Sequence, residues 1–336
     1  MLNTFFLPTD ASFADDIKVS LNLLKPLNML GAKTGLMFII KDGIKGLQNE
    51  AKNVQLKNIQ KIIKNDTTPF IVMVSNKIED LDFYHKPDFS NQHIKEAINF
   101  SLELPSSLSP IVSFHLNTLF TKEEWIESGE TLNKKFIYWK QKFLNKVWPG
   151  LKKISEYAKE KNIPLKIETT PVPEFGDLEK KELNTLVNPY PVYSKRGMNE
   201  IRNTGIGIVL DLCHTYTLYK AISLLNKNDK LHNVYKGLFS FDFKSLKDKN
   251  LIQEVNSLKD NDIIHINDSK NIFNPQEKTY HQEGISLGKG EINELPEIIK
   301  KIKNLKVNIV FEINEIDFQK RPNTKASIDY FLKYYK

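Results

Sequence analysis

The chain has 336 residues, 40% of them apolar, enough to core one large β/α barrel or two ordinary domains. Its formal charge of +7 and isoelectric point near 9.0 admit a polyanionic partner, although the basic residues are scattered and not blocked. A single cysteine, Cys213, excludes an internal disulfide and suits a reducing compartment. The N-terminus lacks a basic region, and no apolar run reaches the roughly 20 residues that span a bilayer, so a cytoplasmic protein with no membrane partner is expected.

Strand-like runs then alternate with helical spacing along the whole chain. Thr4 to Leu7 reads as strand one, closed by Pro8. Ala14 to Leu30 follows as a helix with Ile17, Leu21, Leu24 and Leu27 on one face. Gly35 to Ile40 is strand two, Ile44 to Ile63 a helix, and Pro69 to Val74 strand three. Ser75 to Asn91 is a long polar and aromatic loop, of the kind that is usually functional or mobile. Ile94 to Leu104 is helical, and Ile111 to His115 is strand four. Lys134 to Lys161 carries a long helical pattern with Trp139, Phe143, Val147, Leu151, Ile154 and Ala158 inward. Pro149 must kink or divide it.

Pro164 to Glu168 is strand five. Thr170 to Ser194 is a proline-rich loop, Met198 to Asn203 a short helix, and Gly207 to Leu210 strand six, with Asp211 and His214 at its end. Thr215 to Leu225 is helical. Leu231 to Leu258 has no clear period, and Phe239 to Phe243 suits a loop packed on the barrel. Asp262 to Ile266 is strand seven and Asn308 to Ile313 strand eight. Ala326 to Tyr334 closes as a helix. The alternation predicts a single α/β domain over residues 1–336, a (β/α)8 TIM barrel, with a doubly wound open sheet as the other arrangement. No strand is followed by Gly-x-Gly-x-x-Gly or by Gly-x4-Gly-Lys-Ser/Thr, so no nucleotide cofactor is expected.

The strand ends carry the chemistry. His115 closes strand four and Glu168 strand five. Asp211 and His214 follow strand six, His265 lies on strand seven and Glu312 on strand eight. In a barrel these residues converge on the C-terminal mouth. One imidazole at a strand end is usually packed and hydrogen-bonded. Several carboxylates together are costly to bury unless a cation joins them, so a divalent-metal site is predicted. The donor set suits Zn²⁺, Mn²⁺ or Fe²⁺ and also permits Mg²⁺.

Phe114-His115, Asp211-Leu212-Cys213-His214 and His265-Ile266-Asn267-Asp268-Ser269-Lys270 together resemble the endonuclease IV family of abasic-site nucleases. That family belongs to the xylose-isomerase-like barrel superfamily. The resemblance implies a zinc-dependent hydrolase of DNA repair, with two or three Zn²⁺ ions, that cuts DNA 5′ to abasic sites. It makes DNA with abasic sites the partner. It implies that Glu168 bridges two metals. Asp211, His265 and Glu312 complete the second metal's shell, and Glu168 and Glu312 are the catalytic pair. His115 binds the first metal, and His214 and His281 bind the third. Two positions depart from the family pattern. Strand three ends in Val74-Ser75-Asn76 without the family's His, His85 being the nearest one. Thr279 stands where the family has an Asp ahead of His281.

Glu168, Asp211, His265 and Glu312 are also similar to the one-metal set of the sugar isomerases and epimerases of the same superfamily. There the two glutamates move a proton beside a carbonyl polarised by the metal, one Mn²⁺ for example. A third reading keeps the metal and loses turnover, leaving a binding protein. Lys289, between two glycines, reads as a solvated turn residue. Trp125, Trp139 and Trp148 read as packing, and Cys213 as buried and not nucleophilic. Tyr190, Tyr193, Lys195 and Arg196 form a basic aromatic patch, either exposed loop or DNA contact.

Overall fold

A computed structural model describes residues 3–40, 42–63, 68–74, 81–104, 110–118, 122–170, 195–225, 250–272 and 279–335. The loop read at Thr170 to Ser194 lies outside the described residues beyond Thr170, as do most of Leu231 to Leu258 and the patch residues Tyr190 and Tyr193. Eight parallel strands close into a barrel. They are β1 (Thr4–Thr9), β2 (Lys33–Ile39), β3 (Phe70–Met73), β4 (Ile111–His115), β5 (Leu165–Glu168), β6 (Gly207–Asp211), β7 (Ile263–Ile266) and, after a hairpin, β10 (Asn308–Phe311). β10 pairs with both β7 and β1, which shuts the ring and leaves the barrel without an open edge. The predicted barrel is the observed one, and the open sheet is set aside.

Helices cover the outside. The described ones before β5 are α1 (Ala14–Met29), α2 (Gly43–Gly46), α3 (Asn49–Ile62), α4 (Pro87–Leu102), α5 (Lys122–Glu127), α6 (Leu132–Lys142) and α7 (Trp148–Glu160). After β5 come α8 (Lys195–Arg202), α9 (Leu212–Leu225), α10 (Leu251–Val255), α11 (Leu295–Ile302) and α12 (Pro322–Tyr335). None is long and apolar enough to cross a membrane among the described residues.

The period of two along each strand decides what faces the lumen. Phe6, Met37, Ile71, Met73, Val209, Ile263 and Val310 form a small cluster of their own inside the barrel. Their neighbours Leu210, Ile264, Ile309 and Phe311 belong to the larger core between strands and helices. Continuing the inward phase by two residues takes Val209 to Asp211, Ile263 to His265 and Val310 to Glu312. The same step takes Ser113 to His115 and Lys166 to Glu168. The strand pairing sets these residues level: His115 pairs with Glu168, and Asp211 with His265. One register therefore lifts the polar residues together to the mouth while the apolar ones fill the lumen below.

Several boundaries differ from the sequence reading. β1 runs through Pro8 to Thr9. Its pairing with β10 ends at Phe6, so the missing proline N–H interrupts no ladder on that side. The helix predicted over Ile44 to Ile63 is two helices, because Gln48 is extended and Asn49 left-handed. The last five residues of the predicted Ser75 to Asn91 loop are the start of α4, with Pro87 in its first turn, where a proline costs no hydrogen bond. Pro149 likewise opens α7, and a five-residue π turn at Phe143–Val147 separates α7 from α6. The inward residues predicted across that break, from Trp139 to Ala158, are buried. α11 and an antiparallel hairpin of β8 (Asp268–Lys270) and β9 (Gln282–Ile285) have no counterpart in the sequence reading.

Candidate metal centre

The helix after β6 starts at Leu212, not at Thr215, so Asp211 and His214 stand at the N-cap and in the first turn of α9. Asp211 Oδ1 accepts the His214 backbone N–H at 2.8 Å, the usual work of a capping carboxylate. Asn267, just past β7, serves the same turn. Its Oδ1 accepts from Cys213 N at 3.1 Å, and its Nδ2 donates to Asp211 Oδ2 at 2.8 Å. The Thr169 hydroxyl accepts from Asp211 N at 2.9 Å. Strands β5, β6 and β7 are thus tied together at their C-terminal ends, with the Asp211 carboxylate held at the mouth.

Two groups of ligand-type side chains form there. One is Glu168, Asp211, His265 and Glu312; the other is His115, Glu168 and His214, and Glu168 belongs to both. His265 Nδ1 lies 2.6 Å from Glu312 Oε2, 3.3 Å from Glu168 Oε1 and 3.5 Å from Asp211 Oδ2. His115 Nε2 is 3.2 Å from Glu168 Oε2. His115 and His214 meet edge to face with ring centres 5.5 Å apart. All but Glu312 are buried.

The electrostatics follow from this crowding. Burial alone would raise the Glu168 carboxyl, yet the His265 and His115 imidazoles hold it well below the usual carboxylate range. Burial likewise opposes ionisation of Asp211, and His214 and His265 overcome it and lower its pKa. Burial pulls His265 and His214 down. The carboxylates around them win, Glu168 and Glu312 at His265 and Asp211 and Glu283 at His214, and both imidazoles end well above their ordinary value. Enclosure raises Glu312 despite His265. Enclosure also raises the Cys213 thiol, whose proton goes to the Asp268 carbonyl, in keeping with a cysteine that is not a nucleophile.

The geometry passes one test for a divalent cation. Glu168 Oε2 and both ring nitrogens of His265 are buried and make no hydrogen bond within the described residues. Orphaned buried polar atoms are rare in native proteins. Of these, His265 Nδ1 lies beside Glu168, Asp211 and Glu312, and Glu168 Oε2 beside His115 Nε2, an arrangement that divalent cations satisfy.

His281 stands apart from both groups, on the hairpin beside Glu283. Its Nε2 lies 2.9 Å from Ser269 Oγ. The Asn267-Asp268-Ser269 run thus has three separate tasks. Asn267 steadies Asp211, and Ser269 holds His281. The Asp268 carboxylate accepts N–H bonds from Ser269, Gly288, Gly290 and Ile292. A Cβ at Gly290 would sit 2.2 Å from that carboxylate, and Gly288 has φ +77°, which accounts for glycine at both turn positions. Lys289 between them is exposed. His85 joins neither metal group: its ring nitrogens lie 2.9 Å from Asp82 and 3.1 Å from Glu124. Of the three tryptophans, Trp139 is buried and Trp148 packs on the core; the Trp125 side chain lies outside the described residues. Neither Asn267 nor Glu283 was singled out from the sequence as a site residue.

The fold is that of the xylose-isomerase-like TIM barrels. A D-tagatose 3-epimerase-like protein matches with a TM-score of 0.52 and 15% identity, over 98% of this chain and 97% of its own. The TTHB071 protein of Thermus thermophilus, from a crystal soaked with ZnCl2, matches with 0.52 and 13% over the same shares. A xylose isomerase domain-containing protein of Salmonella typhimurium matches with 0.51 and 8% over 100% and 98%. No protein-family model and no curated protein matches the chain.

Proposed function

We propose that this protein is a zinc-dependent phosphodiesterase that cleaves DNA 5′ to abasic sites, as the sequence resemblance implies. The observation that carries the reading is Glu168, the one carboxylate common to both ligand groups. A carboxylate placed between two cation sites is the arrangement of two-metal phosphoryl chemistry, whereas proton transfer in a sugar needs one site. Zinc bound there would supply a hydroxide nucleophile at neutral pH and stabilise charge on the phosphoryl oxygens.

The chain's own residues do the rest. Glu168 joins the two groups and keeps its charge through His265 and His115. Asn267 and Thr169 hold Asp211 in place. Burial of His115, Glu168, Asp211 and His265 excludes bulk water from the floor of the site and strengthens every interaction above it. The scattered positive charge favours approach of a polyanion.

The one-metal isomerase or epimerase reading rests on a different observation: Glu168 and Glu312 both face His265 Nδ1, at 3.3 and 2.6 Å, as an acid/base pair flanking one metal would. An incision assay on duplex DNA with a single abasic site, set beside proton exchange from ketoses and aldoses, separates the two. The nuclease reading expects cleavage 5′ to the lesion by zinc-loaded protein and none by Glu168→Gln. Exchange without incision would replace it with the isomerase reading.

A further inference from the structure

Three lysines that lie far apart in the sequence line one groove between α4 and α7. The groove has a volume of about 460 Å³, and Lys95, Lys146 and Lys153 share its lining with Asn91 and Gly150. Gly150 is needed where the two helices meet, since a Cβ there would sit 2.3 Å from Asn91 Nδ2. Asn91 Oδ1 is buried and has no hydrogen-bond partner among the described residues, so this wall is polar where it is deepest. Lys52, Lys142 and Lys220 each meet a glutamate at 2.6–3.2 Å. The groove lysines differ. None of the three has an ion-pair partner among the described residues, and Lys95 Nζ rests 4.9 Å from the centre of the Tyr157 ring. Asp88 is the one carboxylate on the lining, so three lysines against one aspartate leave an excess of two positive charges.

The groove lies toward the mouth of the barrel. Helices of a β/α barrel start where the strands end. The groove takes the first half of α4, from Pro87 to Lys95, and runs from Lys146 in the π turn to Lys153 in α7. Just before α4, the Phe83 backbone N–H donates to the Asn117 carbonyl at 3.0 Å, two residues beyond His115 of the metal centre. An open, polar groove of unpaired ammonium groups suits a phosphodiester strand, whose phosphates lysines meet as point charges without reading sequence.

We propose that the α4–α7 groove holds the phosphate backbone of a DNA duplex flank whose lesion lies at the metal centre. The inference deepens the phosphodiesterase reading and rests on it. Fluorescence anisotropy of a labelled, undamaged duplex across a salt series tests it, because backbone contacts need no lesion. Each neutralised phosphate contributes about −0.9 to the slope of log K against log salt. Lys95→Gln/Lys146→Gln/Lys153→Gln is therefore expected to make the slope shallower by about 2–3 and to weaken binding by about tenfold or more at about 0.1 M salt. Lys300→Gln/Lys301→Gln/Lys303→Gln removes the same charge at the far end of α11 and keeps the wild-type slope. Unchanged circular dichroism shows that each variant folds. Equal slopes and affinities in wild type and the groove variant, an equal loss in the control, or no duplex binding by wild type overturns the groove. Incision of an abasic duplex by zinc-loaded wild type is read separately. Incision alongside an unaffected groove variant leaves the phosphodiesterase reading standing, and absence of incision overturns that reading itself.

Discussion

Replacing Asp268 with alanine removes one carboxylate that accepts three backbone N–H bonds from the turn after β9, from Gly288 at 3.0 Å, Gly290 at 2.8 Å and Ile292 at 3.1 Å, besides its own local bond to Ser269. Hydrogen bonds to a charged acceptor contribute about 1.5–3 kcal/mol each, and the two glycine donors, being half-buried, regain part of that from water. A net loss of about 3–5 kcal/mol follows from that range. At about 2.1 cal/mol/K per residue, the entropy of unfolding for this length is about 0.7 kcal/mol/K, so Tm falls by about 4–7 °C. Asp268→Asn keeps the shape and one acceptor oxygen and loses less. The assay is thermal unfolding of metal-free protein followed by circular dichroism, with amide hydrogen exchange read at the three donors. Exchange should quicken at Gly288, Gly290 and Ile292 ahead of the barrel strands. A Tm within about 1 °C of wild type with unchanged exchange would refute the assignment of Asp268 as the clamp.

Glu168→Gln, which removes the carboxylate common to both ligand groups, should cut bound zinc by at least one ion and abolish incision without changing the circular dichroism; Glu312→Gln should also abolish activity. Full activity in either purified variant removes that residue from the mechanism. Asn267→Ala frees Asp211 and the start of α9, and loss of such a supporting contact should weaken zinc binding by about 10–100-fold, measured by competition with a chelator. The pH dependence of metal-free protein has two signs. His265 and His214 are raised, so their contribution is full below the ordinary value near 6.5 and is lost as pH rises through the raised values. Glu168 and Asp211 are lowered, so theirs is present above about 4 and is lost as pH falls through the lowered values. Unfolding scans across pH should show a plateau between those limits. Zinc must displace the imidazole protons near neutrality, so calorimetry in buffers of different ionisation enthalpy should show proton release. No release would mean that these histidines do not ligate.

The barrel and the centre of its site were legible because both follow from one periodicity. A strand whose alternate residues fill the lumen must present its last inward residue at the mouth, and Asp211, His265 and Glu312 each stand two residues beyond a buried apolar one. The hairpin was not legible. β8 is three residues long, and Gln282-Glu283-Gly284-Ile285 has little of the β-branched or aromatic character that marks strands. Glu283 was missed with it, although His281-Gln282-Glu283 carries a faint signal, two ligand-type residues at strand spacing. The role of Asn267 was hidden for another reason. It caps a helix that starts three residues earlier than its apolar pattern suggests, so nothing local links Asn267 to Cys213. The early start of α4 could have been read from Pro87 as a first-turn proline.

Elemental analysis of protein purified without chelator or added metal tests the central claim most directly. If Glu168 joins two cation sites, each chain carries at least two metal ions, chiefly zinc, and Glu168→Gln carries fewer. A value of one per chain, unchanged on loading with excess zinc, would contradict the shared-carboxylate centre and the phosphodiesterase reading built on it.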